Sequence, residues 1–408
     1  MICHGGTSMD AITNLLTRNV TNVIIREDLE ERLRSGNKLR IKLGIDPTGP
    51  LLHIGRAIPL RKMREFQDLG HTAVIIIGDF TGLVGDASDK DAERVMLTRE
   101  QVERNMSGYL EQMGRILDME RTEVTYNSEW LATMTFEEIA RLADNFSVAE
   151  MLDRENFYKR YTDGKRISLR EFLYPLMQGY DSVAVHADVE LGGNDQLFNL
   201  LAGRTIQKAY GQIPQNIMTF GMLDGLDGRK MSTTYGNYIA IAEDPEEQFG
   251  KVMRLKDELI LTYFELCTDL SLDEIAKIRD EMGTGTNPME VKLKLAEEIV
   301  AMFHGREKAG SSRDRFLTIF RKREIPDDIP TIHVESGVWQ LPALVSEAGL
   351  SPSRSEAGRL IRQGGVKIEG KKITDVNHSI TVGANPVLLQ VGRRRIANIV
   401  GSSDRVVD

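Results

Sequence analysis

The sequence predicts a doubly wound parallel α/β sheet, an α-helical domain after it and a small α+β module at the carboxyl end. Three observations carry that prediction. A strand, a turn, a helix and a second strand follow one another between Leu39 and Gly78. The alternation of strand and helix signals returns as far as Phe220, whereas past Asp244-Pro245 only helical periodicity remains. Beyond Glu324–Pro330, which has two prolines and no periodicity, short helices and strands mix again.

The elements follow from local chemistry. Leu39–Ile45 alternates and is rich in aliphatic residues, so it reads as a strand, and Asp46-Pro-Thr-Gly-Pro50 breaks it. Ile54, Ile58, Met63 and Phe66 fall near helical spacing up to Leu69, and Gly70 ends the run as a left-handed cap would. Thr72–Gly78 reads as a buried strand. A strand–helix–strand unit of this length places the segment from Asp46 to His53 at the carboxyl end of a parallel strand, where open α/β sheets bind ligands. Glu123–Asn127 as strand, Asn194–Tyr210 as helix and Gln215–Phe220 as strand extend a Rossmann-like sheet. Helices are expected over Leu255–Leu266, Leu272–Met282, Pro288–His304 and Arg306–Lys322, with a linker at Glu324–Pro330. Two short helices, Leu341–Glu347 and Ser353–Gln363, then lead through Gly364-Gly365 into strands at Val366–Ile368 and Pro386–Gln390.

A chain of 408 residues with 41% hydrophobic residues exceeds one ordinary core, and the expected domains are residues 1–243, 244–330 and 331–408. Two cysteines, Cys3 and Cys267, make neither a disulfide framework nor a zinc cluster, so a reducing cytoplasm and no protein-held metal are expected. No apolar run reaches the length of a membrane span and no signal peptide is visible, so no membrane partner is expected. The net charge of −9 is uneven: residues 341–408 carry ten Lys and Arg against six Asp and Glu, which leaves −13 for residues 1–340. A basic terminal module on an acidic body suits a local RNA contact rather than a general nucleic-acid binder, and no DNA partner is expected.

Four separated segments describe one site: Asp46-Pro-Thr48 with His53-Ile-Gly-Arg56, Tyr174-Pro-Leu-Met-Gln-Gly-Tyr-Asp181, Gly192-Gly-Asn-Asp-Gln196, and Arg229-Lys-Met-Ser-Thr-Thr234. His53 and Gly55 stand at a helix start, where free N–H groups and the dipole favour phosphate. Gly55 has no side chain to obstruct a nucleotide base. Lys230 follows the run Leu223–Gly228, which suits a loop closing over a leaving pyrophosphate. Tyr174, Gln178 and Asp181 are spaced at four and three, so on a helix they share one face.

These segments resemble the signatures of the class I tyrosyl-tRNA synthetases, and the resemblance covers the whole chain. It implies that L-tyrosine and ATP, with Mg²⁺ on the phosphates, form tyrosyl-adenylate, and that the tyrosyl group then passes to tRNA(Tyr). It implies catalysis by His53, Arg56, Thr48 and Lys230, and ATP contacts by Gly44, Asp46, His53, Gly55, Gly193, Asp195, Lys230, Ser232 and Thr233. For tyrosine it implies Tyr174, Gln178 and Asp86 at the ammonium, Asp181 at the phenol hydroxyl, Gln196 at the carboxylate, and a contribution from Lys42, which stands where one branch of the family has a tyrosine. The helical domain would bind the anticodon, a dimerisation insertion would lie within residues 1–243, and the working form would be a homodimer. The stretch from Ser353 to Gly370 resembles an RNA-binding domain shared with a ribosomal protein, which implies tRNA contacts by Arg354, Arg359, Arg362 and Lys367. Two positions depart from the family pattern: Arg56 replaces its second histidine, and Thr233 its second lysine. The competing expectation is a non-catalytic RNA-binding paralogue in which those departures record lost catalysis.

Overall fold

The computed structural model describes residues 10–86, 96–320, 329–392 and 395–402. Cys3, the end of the helix expected to reach Lys322, and residues 324–328 of the expected linker lie outside the described residues. The chain divides into two compact units, one ending at Phe316 and one beginning at Leu317.

The first unit is built on six strands: β1 (Asn22–Ile24), β2 (Arg40–Ile45), β3 (Thr72–Ile77), β4 (Thr122–Tyr126), β5 (Val189–Gly193) and β6 (Asn216–Phe220), in the order β1-β6-β5-β2-β3-β4. All neighbours are parallel except β1, which runs antiparallel to β6 at one edge. Ala73–Ile77 of β3 are all at most 1% exposed, as a strand covered on both faces requires. The helix Ile54–Asp68 returns the chain from β2 to β3, and Gly70 after it takes φ +95°, the left-handed turn expected of it. The helices Leu169–Ala184 and Leu197–Ala209 approach closely because Gly179 has no Cβ, which would lie 2.6 Å from Ile206 Cδ1 and 3.1 Å from the Ala202 carbonyl carbon. The helices Pro245–Val252, Ile260–Cys267, Leu272–Gly283 and Pro288–His304, and the helix Arg306–Phe320 as far as Phe316, belong to the same compact unit. Polar contacts stitch them to the sheet side: Arg61 donates to the carbonyls of Leu266 at 2.8 Å and Thr268 at 2.7 Å, and Tyr263 donates to the Asp224 carbonyl at 2.5 Å. Cys267 is buried, and burial pushes its thiol up to about 12, so it is an inert packing residue.

Three differences from the sequence expectations have local causes. The helix Pro245–Val252 precedes the expected start at Leu255; Asp244 caps it, accepting from the N–H groups of Glu246 and Glu247, with Pro245 in its first turn. A 3₁₀ turn at Asp257–Leu259 delays the next helix to Ile260. Strands β1 and β5 escaped notice because β1 has three residues and β5 ends in Gly-Gly, neither of which alternates.

The second unit holds β7 (Thr331–Glu335), β8 (Gly337–Gln340), β9 (Val366–Ile368), β10 (Lys371–Ile373), β11 (Ser379–Val382), β12 (Val387–Val391) and β13 (Arg395–Ser402). Five of them form a sheet in the order β10-β9-β12-β13-β7, and β11 pairs with β8. The helices Leu341–Glu347 and Arg354–Arg362 cover a core of Leu341, Leu344, Ile361, Val366, Leu389 and Ile399. Gly364, at φ +70°, makes the turn from the second helix to β9.

Within the first unit, Arg160 and Glu171 form an ion pair whose side chains are fully buried, with Nη1 to Oε2 at 2.6 Å and Nη2 to Oε1 at 3.0 Å. Glu171 also accepts from the Ser168 N–H at 2.9 Å at the start of the helix Leu169–Ala184. Removing one charge strands the other in a dry environment. Glu171→Gln should therefore lower unfolding free energy by about 3–5 kcal/mol. Thermal and denaturant melts of the variant check this, and an apolar replacement of both partners should recover most of the loss.

Candidate active site

A cavity of about 600 Å³ opens at the carboxyl ends of the parallel strands. Asp46 follows β2, Gly78 and Thr81 follow β3, Asn127 follows β4, Gln196 follows β5 and Leu223 follows β6, and all of them line it. The four sequence segments meet here. Every residue expected to contact ATP or tyrosine lines the cavity except Lys42.

One end of the cavity is built from the helix Leu169–Ala184. Asp181, 3% exposed, accepts from Trp130 Nε1 at 2.8 Å and Asn127 Nδ2 at 3.2 Å. Burial pushes its carboxyl up to about 7, against the pull of the Lys42 charge and of those two hydrogen bonds. Burial, then the Asp46 carboxylate, keeps the Tyr174 hydroxyl protonated, and it donates to Asp46 Oδ2 at 2.8 Å. Asp46 Oδ1 accepts from Thr81 Oγ1 at 2.8 Å. A Cβ on Gly78 would lie 2.0 Å from Asp46 Oδ1 and 2.4 Å from Thr81 Oγ1, so only glycine leaves this carboxylate its place. Gln196 Nε2 donates to Asp86 Oδ2 at 2.7 Å, and Asn199 Nδ2 holds Gln196 Oε1 at 3.0 Å. Lys42 stands behind the wall, 0% exposed: its ammonium donates to the Gln178 main-chain carbonyl at 2.8 Å and Ser182 Oγ at 2.7 Å and pairs with Glu190 at 2.9 Å. Those partners occupy all three of its protons, so the expected contact of Lys42 with an amino acid gives way to a supporting position.

The other end is polar and positive. The helix Ile54–Asp68 begins at the cavity, with His53 as its amino-terminal cap. Burial, then the charges of Arg56 and Lys230, push the His53 imidazole down to about 3, so the ring is neutral at any working pH. Its Nδ1 is buried with no hydrogen-bond partner among the described residues. A Cβ on Gly55 would lie 3.0 Å from that nitrogen, so this glycine makes room for the imidazole itself. Arg56 reaches back along the turn after β2, donating to the Asp46 carbonyl and to Thr48 Oγ1, both at 3.3 Å. Lys230 pairs with Asp195 at 3.0 Å, and a Cβ on Gly193 would lie 2.4 Å from Asp195 Oδ1. The glycine-rich run before Lys230 is pinned rather than slack. Asn237 accepts from the Ser232 N–H at 2.9 Å and donates to Asp227 at 2.8 Å, and that bond together with the Arg229 N–H and guanidinium holds the Asp227 carboxyl well below the usual range.

Sequence reasoning missed Gly78, Thr81, Asn127, Trp130, Glu190 and Asn237. Their positions just beyond strand ends were the available signal for Gly78, Thr81 and Asn127. The four residues expected at RNA lie in the second unit: Arg354, Arg359 and Arg362 are exposed on one helix and Lys367 is half-buried on β9. Arg359 is engaged by Glu356 at 2.5 Å.

The family model described as tRNA synthetases class I (W and Y) matches residues 34–321, and the S4 domain model matches residues 340–385. The chain is 48% identical over 393 residues to a tyrosine–tRNA ligase of Thermotoga maritima, covering 96% of this chain and 98% of that protein. It is 49% identical over 390 residues to a tyrosine–tRNA ligase of Burkholderia thailandensis, covering 94% and 93% respectively. Among solved structures, a C-terminally truncated mitochondrial tyrosyl-tRNA synthetase of Aspergillus nidulans superposes with a TM-score of 0.64 at 23% identity, over 77% of this chain and 95% of that one, which bears on the fold alone. On the extent of these matches and the strand-end cavity they enclose, the chain belongs to the class I tRNA synthetases of the tryptophan and tyrosine type and carries an S4 domain at its carboxyl end.

Proposed function

We propose that the chain is a tyrosine–tRNA ligase, which activates L-tyrosine with ATP to tyrosyl-adenylate and transfers the tyrosyl group to the 3′ end of tRNA(Tyr). The observation that carries this reading is Asp181, a buried carboxyl group fixed by Trp130 and Asn127 at one end of a cavity whose other end presents Lys230, Arg56 and His53. A phenol hydroxyl donating to Asp181 places the amino-acid ammonium beside Gln178 and Asp86 and its carboxylate toward Gln196. That carboxylate attacks the α-phosphorus of ATP, and pyrophosphate leaves with its electron pair. Charge growing on the phosphate oxygens meets the N–H groups at the start of the helix Ile54–Asp68, the Lys230 ammonium, the Arg56 guanidinium, the neutral His53 ring and the Thr48 hydroxyl. These are donors for phosphate rather than metal ligands, so Mg²⁺ would enter with the ATP phosphates and supply charge there. The terminal ribose hydroxyl of the tRNA then attacks the adenylate carbonyl and AMP departs. No protein nucleophile is needed.

Arg354, Arg362 and Lys367 form the basic ledge for tRNA, with Arg359 contributing once Glu356 releases it. Phe136, Val148 and Leu169 are 87%, 66% and 79% exposed, apolar side chains that a second copy in a homodimer would cover. The buried thiol of Cys267 suits a cytoplasmic setting.

Tyrosine-dependent exchange of pyrophosphate into ATP tests the reading directly, and its absence would leave a non-catalytic RNA-binding protein. In that assay Asp181→Ala should cost tyrosine about 1.5–3 kcal/mol in kcat/KM, as loss of a hydrogen bond to a charged group does, while the KM for ATP stays put. The ionised acceptor is present above pH 7. Tyrosine capture by the native protein should therefore fall as pH drops through about 7, and Asp181→Asn should flatten that slope.

Arg56 and Thr233 line the same cavity, and a Cβ on Gly49, in the turn that Arg56 grips, would lie 3.8 Å from Thr233 Oγ1. If the cation at Arg56 stands in for the missing lysine, Arg56→His should slow adenylate formation and added Thr233→Lys should restore it. The coupling in that double-mutant cycle should be about 1–3 kcal/mol; additive effects would make Arg56 a bystander.

Deletion of residues 331–408 should leave adenylate formation nearly intact, because the first unit has its own core, while weakening tRNA charging and flattening the salt dependence of tRNA affinity. Equal damage to both half-reactions would assign the tail a structural role.

A further inference from the structure

Behind the amino-acid end of the cavity lie two full charges that the reaction itself does not use. Lys42 and Glu190 are register partners on the parallel strands β2 and β5, 0% and 1% exposed, with Nζ to Oε1 at 2.9 Å. A buried pair of this kind is no more stabilising than well-packed apolar residues, so stability does not explain it. Its hydrogen bonds do. A carboxylate only accepts and an ammonium only donates. Glu190 Oε1 accepts from Gln178 Nε2 at 3.1 Å, and Oε2 accepts from Ser182 Oγ at 3.2 Å and from Gln215 Nε2. Lys42 donates to the Gln178 main-chain carbonyl at 2.8 Å and to Ser182 Oγ at 2.7 Å. Turning the Gln178 carboxamide over would set its oxygen against a carboxylate oxygen, so Nε2 stays on Glu190 and Oε1 is the end left for the cavity that Gln178 lines.

We infer that Lys42 and Glu190 are specificity-determining positioning residues: the pair locks the Gln178 carboxamide with its acceptor end toward the substrate, so the pocket selects an α-ammonium group at that point. The inference rests on the reading of Gln178 as an ammonium contact. Lys42 supplies the charge that lets the carboxylate be buried, and Glu190 supplies the acceptor that cannot be satisfied by a turned amide.

The double variant Lys42→Met/Glu190→Gln removes both charges at nearly constant volume. The new carboxamide at position 190 keeps its oxygen on Ser182 and Gln215, so its NH₂ faces Gln178, which turns and presents donors to the cavity. In the exchange assay the KM for tyrosine should rise by about tenfold or more, as for a lost hydrogen bond to a charged group, with kcat and the KM for ATP within about twofold. Measured well above pH 7, where Asp181 stays ionised with or without the Lys42 charge, the inhibition constant of desaminotyrosine, which lacks the ammonium, should not change. Equal weakening of tyrosine and desaminotyrosine, or an unchanged KM for tyrosine, overturns the inference. Gln178→Ala measured in parallel separates the two readings. If it raises the KM for tyrosine and the double variant does not, the positioning inference alone fails; if it changes nothing, the ammonium contact fails and the inference with it. Should the double variant not fold, a crystal structure of the native protein with tyrosine decides. The ammonium is expected within about 3.2 Å of the Gln178 carboxamide atom remote from Glu190, and its absence there overturns the inference.

Discussion

Strands β2 and β5 are register partners at Ile41↔Val189 and Lys42↔Glu190, and beyond those pairs β2 continues along β3 while β5 continues along β6. The site depends on that parting. The chain leaves β2 for β3 on one side and much later enters β5 on the other, so the direction of winding reverses between them and the carboxyl ends stand open. The segments 46–56, 174–181, 192–196 and 229–233, remote in sequence, each send residues to one space because each belongs to a strand end, a crossover helix or the loop that rims this opening. The Lys42–Glu190 pair closes its floor at the last rung the two strands share.

Around that floor the polar groups are arranged before any substrate arrives. Asp46 is held by Tyr174 and Thr81, Asp181 by Trp130 and Asn127, and Gln196 by Asn199 and Asp86. Fixing donors and acceptors in advance avoids their reorganisation during reaction, the main resource of a site that forms no covalent bond to the protein. His53 is an instructive case. Buried beside Arg56 and Lys230, it is neutral, so it offers a dipole where a third positive charge would have to be desolvated.

Much of this architecture was readable because local chemistry and tertiary context agree. The apolar run Thr72–Ile77 could only be a buried strand, and the spacing of Ile54, Ile58, Met63 and Phe66 required a helix with one covered face. Where tertiary context decided, the sequence was mute: β1 exists only as the antiparallel edge partner of β6, and β5 is defined by what flanks it. The helical segment after Asp244 reads as a domain of its own because strand signals cease there; the reach of Arg61 and Tyr263 across to carbonyl groups is a tertiary contact no local pattern reveals, and it packs the segment as far as Phe316 into one compact unit with the sheet. In the site, short motifs exposed the residues that face the cavity. The residues behind them were hidden, because Asn127, Trp130 and Glu190 acquire their roles only from partners the fold brings up, such as Asp181 and Lys42. Lys42 shows the limit most plainly: the family resemblance suggested a contact with substrate, whereas its ammonium is engaged by Gln178, Ser182 and Glu190 behind the wall.

If the pocket is organised in advance around Asp181 and Gln178, tyrosine needs neither ATP nor tRNA to find it. Calorimetric titration of the native protein with single amino acids, in the absence of nucleotide, tests that claim most directly. The account predicts saturable binding of tyrosine to one kind of site and far weaker binding of phenylalanine, which lacks the hydroxyl that Asp181 accepts from. Equal binding of the two amino acids, or tyrosine binding that appears only after ATP is added, would contradict it.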